Sequence, residues 1–123
     1  MMSDIYHEAI LDLYKNPLHQ GEIDGADLIL DKNNSSCGDS LKIYLKLKGE
    51  QIIDLKWQGS GCAISQVSMS ALADHILTNK LTLSQLKKMT QKELLKLLGL
   101  ESINPGREKC LMMSLTSFKS IKE

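Results

Sequence analysis

Surplus charge is absent from this 123-residue chain. Fifteen Lys and Arg face fifteen Asp and Glu, so the formal net charge is zero. A neutral chain carries no global electrostatic argument for nucleic acid or for an anionic membrane. No stretch approaches the roughly 18 apolar residues that a membrane helix requires. The opening MMSDIYHEAILDLYK carries acids early and lacks a basic segment followed by an apolar run, so a cytoplasmic location is expected. Internal repeats, low-complexity tracts and Pro/Gly-rich linkers are also missing, and the length suits a single domain over residues 1–123. Only three cysteines occur, none in C-x-x-C spacing. An odd number in a reducing compartment predicts thiols rather than a disulfide framework.

What is present is a modest apolar fraction of 42%, enough for one core, arranged in two successive periodicities. Residues 3–15 have mixed helical spacing, with Ser3 or Asp4 as a candidate cap and Pro17 as the stop. GEIDG, from Gly21 to Gly25, reads as a turn. Ala26–Asp31 is a short apolar strand. Leu41–Lys48 alternates, with Ile43, Leu45 and Leu47 on one face and Lys42, Tyr44, Lys46 and Lys48 on the other. Ile52–Gln58 alternates as well, Ile53, Leu55 and Trp57 opposing Asp54 and Lys56. Period two with one polar face predicts a half-exposed antiparallel sheet, with Gly49-Glu50 as a hairpin turn.

Beyond Gly61 the period becomes helical. Ile64, Val67, Ala71, Leu72, Ile76 and Leu77 predict a helix over 62–78. Thr82 with Gln85 and Thr90 with Glu93 are capping-box signatures, and Gly99 ends the second short helix. Asn104-Pro105 reads as N-cap and first helical residue of a last helix to about Ile121, with Leu111, Leu115 and Phe118 inward. The fold class expected is α+β: an N-terminal helix, a three-stranded antiparallel meander, and C-terminal helices packed on one face.

All three cysteines fall at element ends. Cys37 lies in NNSSCGDS between the first two strands, Cys62 in GSGCAIS where the third strand gives way to a helix, and Cys110 in REKC near the start of the last helix. In a meander the first loop and the end of the third strand share one edge, so Cys37 and Cys62 can meet there. Asp39 follows Cys37 across Gly38, which permits a tight turn. Three thiolates and a carboxylate suit tetrahedral zinc, and the thiolates equally accept iron. An ordinary thiol, with a pKa of about 8.5, is mostly protonated at neutral pH. The helix N-terminus beside Cys62 favours its thiolate, and Arg107 and Lys109 act in the same direction at Cys110.

Blander readings compete. A buried cysteine taken singly is a small apolar filler, although Cys37 in a polar loop does not fit that role. His75, thirteen residues along the helix from Cys62, is roughly 20 Å away at about 1.5 Å per residue. His7 and His19 read as exposed, the serines of SQVSMS as helix surface, and Met112-Met113 as core.

These motifs, taken in order, resemble the U-type iron–sulfur cluster assembly proteins: the NifU N-terminal domain, IscU and SufU. YHEAILDLYKNP looks like the family's opening helix. NNSSCGD is similar to its N-P-x-C-G-D loop, GSGCAISQ to its G-x-G-C-x-I-S segment, and REKC to its third cysteine motif. The resemblance implies partnership with a pyridoxal-phosphate cysteine desulfurase and with downstream cluster assembly or acceptor proteins. In the SufU type, zinc is held by Asp39, Cys62 and Cys110 while Cys37 accepts sulfur, which makes the protein at most a zinc-dependent sulfurtransferase. In the scaffold type, a [2Fe–2S] cluster is built on Cys37, Cys62 and Cys110 and passed on, with Cys110 an equal candidate acceptor. A third possibility is a metal-free desulfurase-binding module. Lys109 directly before Cys110 matches SufU, whereas the spacing of 48 positions from Cys62 to Cys110 leaves little room for that type's usual insertion. INPGREKC replaces the proline-rich stretch by which a chaperone recognises IscU, so no dedicated chaperone partner is expected.

Overall fold

Alternation drives the sheet. The computed structural model describes residues 10–34, 39–61, 63–100, 102, 105 and 108–121, without the side chains of Asn34 and Asp39. Strands β1 (Leu28–Asn34), β2 (Asp39–Lys48) and β3 (Gln51–Ser60) form an antiparallel sheet in the order β1-β2-β3. Gly49, at φ +64, supplies the left-handed residue of the tight β2–β3 turn, a conformation that costs a side-chain-bearing residue about 1–2 kcal/mol. On the inner face Leu41, Ile43, Leu45, Leu55 and Trp57 are all but sealed from solvent. Burying each such side chain stabilises the fold by roughly 1.5–3 kcal/mol.

Two strand expectations are corrected. β1 runs Leu28–Asn34 rather than Ala26–Asp31. Its start is displaced because the Asp27 carboxylate accepts the Leu47 N–H at 2.8 Å, ending the ladder. Its end is extended because Asn33 and Asn34 continue in register with Ser40 and Asp39. Ile53 was expected inward, yet it is 53% exposed and Ile52 is buried at 1%. A register shift between Lys46 and Leu47 inserts one extra residue on β3, and such a bulge turns the following side chains to the other face.

The β3 edge is occupied, and a crossing segment reaches the outer face. Residues 10–15 form helix α1, and the chain then binds β3 through a parallel bridge from Gln20 to Trp57. Trp57 N–H donates to the His19 carbonyl at 3.0 Å, Gly21 N–H to the Trp57 carbonyl at 2.9 Å, and Trp57 Nε1 to the Leu18 carbonyl at 2.7 Å. Residues 22–27 then cross to the β1 side, Glu22 accepting from Gln58 Nε2 at 3.1 Å. Tyr44 faces this side but is only 7% exposed. Its hydroxyl donates to Gln58 Oε1, and Lys42 Nζ lies 5.7 Å from its ring centre.

The inner face is covered by α2 (Ala63–Asn79) and α5 (Glu108–Lys119), with α3 (Leu83–Lys88) packed against α5 and α4 (Gln91–Leu97) against α2. α2 packs against β3, α4 and α5. Burial therefore extends around most of its circumference, and Ser65, Ser68 and Ser70 are interior rather than surface residues. That corrects the reading of SQVSMS as an exposed face. Thr82 caps α3 in a reciprocal box with Gln85, and Thr90 accepts the Glu93 N–H at 3.3 Å. Leu100 N–H returns to the Leu95 carbonyl past Gly99, closing α4. α5 is described from Glu108, residues 106 and 107 between it and Pro105 lying outside the described residues, and it buries Leu111, Leu115 and Phe118 as expected. Ser3, Asp4 and Asn104, the other candidate caps, lie outside the described residues, as does His7.

Candidate metal centre

Register fixes where the cysteine motifs can gather. Asn34 pairs with Asp39, the last residue of β1 with the first of β2. Ser40 pairs with Ser60, and their hydroxyls are 3.0 Å apart. α2 begins at Ala63, three residues beyond Ser60. The end of β1, the start of β2, the end of β3 and the start of α2 thus share one rim of the sheet. Cys37, Gly38 and Cys62 lie outside the described residues, but their described flanks are these rim positions. Asp39 is the first residue of β2 and its side chain is likewise not described.

Cys110 occupies the first turn of α5 and is buried at 5% exposure. α5 packs against α2, β1 and β2, the elements whose ends flank Cys62, Cys37 and Asp39. Lys109, its neighbour, is exposed, and Arg107 lies outside the described residues. Among the described residues, no three His, Cys, Asp or Glu side chains cluster in a metal-binding arrangement.

Close approach at the rim depends on Gly59, opposite Leu41. A Cβ there would meet the Ser40 carbonyl oxygen at 2.7 Å and Leu41 Cδ2 at 2.8 Å. The glycine is therefore required by space, which explains the first Gly of G-x-G-C in physical terms. Ser40, Leu41, Gly59 and Gln58 also line an open polar depression of about 380 Å³ with Asp31, Asn33 and Lys42 on the outer face beside the rim.

The two described histidines, His19 and His75, remain apart from this region. His75 bonds to Asn79, one turn along α2. His19 is not simply exposed. Its Nε2 lies 3.1 Å from Asp74 Oδ1, with side chains 27% and 53% accessible, and it ties residues 18–21 to α2. Local sequence gave no signal for that pairing across 55 positions. Met112-Met113 packs as core, with Met113 4% exposed.

A three-stranded antiparallel meander backed by helices, with the flanks of the Cys37 and Cys62 motifs on one rim, defines the α+β class. Residues 5–121 match the NifU-like N terminal domain, and the chain belongs to this family of U-type iron–sulfur cluster assembly proteins. It is 36% identical over 75 residues to the zinc-dependent sulfurtransferase SufU of Bacillus subtilis, a match covering 61% of this chain and 50% of that protein. It is 30% identical over 132 aligned positions to the iron–sulfur cluster assembly scaffold protein IscU of Thermotoga maritima, covering 97% of this chain and 91% of that one. The crystal structure of the N-terminal part of a nitrogen-fixing NifU-like protein from Brucella abortus superposes with a TM-score of 0.77 at 18% identity, covering 97% and 93% of the two chains, which establishes the fold. No helix among the described residues is long and apolar enough to cross a membrane.

Proposed function

We propose that this chain accepts sulfur from a cysteine desulfurase at a zinc site of SufU type and supplies it to iron–sulfur cluster assembly. The observation that carries the reading is the rim itself: the register Asn34–Asp39 and Ser40–Ser60 joins the flanks of two cysteine motifs, and the third cysteine is buried on a helix packed against the same elements. The donor chemistry fits zinc, with thiolates from Cys62 and Cys110 and carboxylate from Asp39, and Cys37 as a displaceable fourth ligand. When bound, zinc stabilises thiolates and holds the rim together. The GCAIS and REKC motifs and the likeness to the Bacillus sulfurtransferase favour this type.

Sulfur transfer is thiol–persulfide exchange. The Cys37 thiolate attacks the terminal sulfur of a persulfide carried by the desulfurase. A new S–S bond forms at Cys37, the donor's S–S bond breaks, and the donor cysteine leaves as thiolate. No net oxidation occurs. The polar Gly/Ser/Asn setting of Cys37 in the sequence suits it to this role, and downstream assembly or acceptor proteins would receive the sulfur.

The nearly full-length likeness to the Thermotoga scaffold favours a second reading. In it Cys37, Cys62 and Cys110 hold a [2Fe–2S] cluster or iron as cargo for transfer. Metal analysis of protein purified without oxygen separates the readings. About one zinc per chain supports the first, a coloured iron species the second, and neither metal leaves a desulfurase-binding module. The relay predicts faster turnover of a pyridoxal-phosphate cysteine desulfurase in the presence of the protein, and loss of that stimulation in Cys37→Ala. Undiminished stimulation by Cys37→Ala would remove the acceptor assignment. Asp39→Ala is expected to weaken zinc binding by removing one of four ligands; unchanged affinity would exclude Asp39 from the set.

A further inference from the structure

The buried hydroxyls of α2 and α5 are accounted for with one exception. Ser68 Oγ donates to the Ser65 carbonyl at 3.1 Å, Ser117 Oγ to the Met113 carbonyl at 2.8 Å, and Ser70 Oγ accepts the Leu18 N–H at 3.3 Å. Ser114 is 0% exposed, and its Oγ has no hydrogen-bond partner among the described residues. An orphaned buried hydroxyl destabilises the fold. Two remedies were available. Alanine would remove the orphan, and the bond that Ser117 makes to the carbonyl four residues back is open in principle to Ser114 through Cys110.

Position supplies the missing acceptor. Ser114 lies four residues after Cys110 on α5, and both are buried. Residues at this spacing share a helix face, with Cβ atoms about 5–6 Å apart. Helical side chains lean toward the N-terminus, so the Ser114 side chain leans toward the Cys110 turn. A thiol is a weak acceptor, whereas a thiolate is anionic and draws a stronger, charge-assisted bond. We propose that Ser114 is a positioning residue whose hydroxyl donates to the Cys110 sulfur when that sulfur is a metal-bound thiolate. Such a contact would orient the ligand and temper its charge. This inference rests on the metal-centre reading above.

The test compares wild type, Ser114→Ala and Ser114→Thr. Zinc affinity is measured by competition with a chromophoric chelator, thermal stability in the metal-free state, and the sulfur-to-metal charge-transfer band after loading with Co²⁺. Ser114→Ala should be at least as stable as wild type without metal, because the orphan is gone. It should bind zinc about tenfold more weakly, in line with the usual cost of losing such a partner. Its Co²⁺ band should move to lower energy, since the sulfur lone pair loses a stabilising donor, and Ser114→Thr should restore both properties. If wild type binds one zinc and Ser114→Ala binds it within twofold with an unmoved band, the assignment is overturned and the metal centre stands. If Ser114→Ala loses metal-free stability with unchanged zinc affinity, the hydroxyl is structural and the assignment is likewise overturned. If wild type binds neither zinc nor Co²⁺, the metal-centre reading falls first and takes this inference with it.

Discussion

Replacing Gly59 with alanine should damage the rim more than the fold. The added methyl would sit 2.7 Å from the Ser40 carbonyl oxygen and 2.8 Å from Leu41 Cδ2. The first is backbone in the β2–β3 ladder and can retreat only by straining the pairing of Ser40 with Ser60. Leu41 is 1% exposed and equally confined. Overpacking of this kind costs about 1–3 kcal/mol. At roughly 4 °C per kcal/mol, where the ranges for smaller and larger domains meet, Tm should fall by about 4–12 °C. Gly49→Ala is the control. Nothing lies within 4 Å of its Cβ, but its φ of +64 disfavours any side chain, so the cost is about 1–2 kcal/mol of backbone strain at the opposite end of the sheet. Scanning calorimetry and zinc competition on both variants separate the effects. Both should lose stability, and only Gly59→Ala should also lose zinc affinity. A Gly59→Ala protein melting within about 2 °C of wild type, with wild-type zinc affinity, would refute the claim that the rim depends on close backbone approach.

The β-bulge predicts a sharp asymmetry between neighbours: Ile52→Ala should cost about 2–5 kcal/mol, whereas Ile53→Ala, at a site 53% exposed, should stay within about 1 kcal/mol by urea denaturation. Equal costs would place the bulge elsewhere. Trp57→Phe deletes the donor to the Leu18 carbonyl and should cost about 1–3 kcal/mol. Amide exchange at Gly21, whose N–H bonds to the Trp57 carbonyl, should accelerate more than exchange in α5, and uniform acceleration would argue against local release of residues 18–21. Asp74→Asn should lower stability by less than about 1 kcal/mol, because its partner His19 and the carboxylate are both substantially accessible; a larger loss in denaturant titration would show that this contact anchors the N-terminal segment.

The sequence by itself determined a good deal. Period-two alternation in Leu41–Lys48 and Ile52–Gln58 specified an antiparallel pair, because only one face of such strands can be buried. The capping residues Thr82 and Thr90 marked two helix starts, since a hydroxyl there satisfies an N–H three residues away in the same chain. Leu111, Leu115 and Phe118 lay at the spacing of one helix face and are buried. Each of these is local physics. The motifs around Cys37, Cys62 and Cys110 identified the family for a different reason: the chemistry requires particular residue types in order along the chain.

Tertiary structure decided what depends on partners distant in sequence. The bulge that turns Ile53 outward is a property of two strands in register, not of β3 alone. Ser65, Ser68 and Ser70 are interior because α2 is enclosed by β3, α4 and α5, whereas their polarity alone had suggested the surface. Tyr44 is covered on the nominally exposed face, its hydroxyl bonded to Gln58, which in turn bonds Glu22 of the crossing segment. His19 meets Asp74 across 55 positions. Hydrogen bonding and burial are satisfied in space, so a residue's neighbours along the chain predict its fate only where they are also its neighbours in the fold.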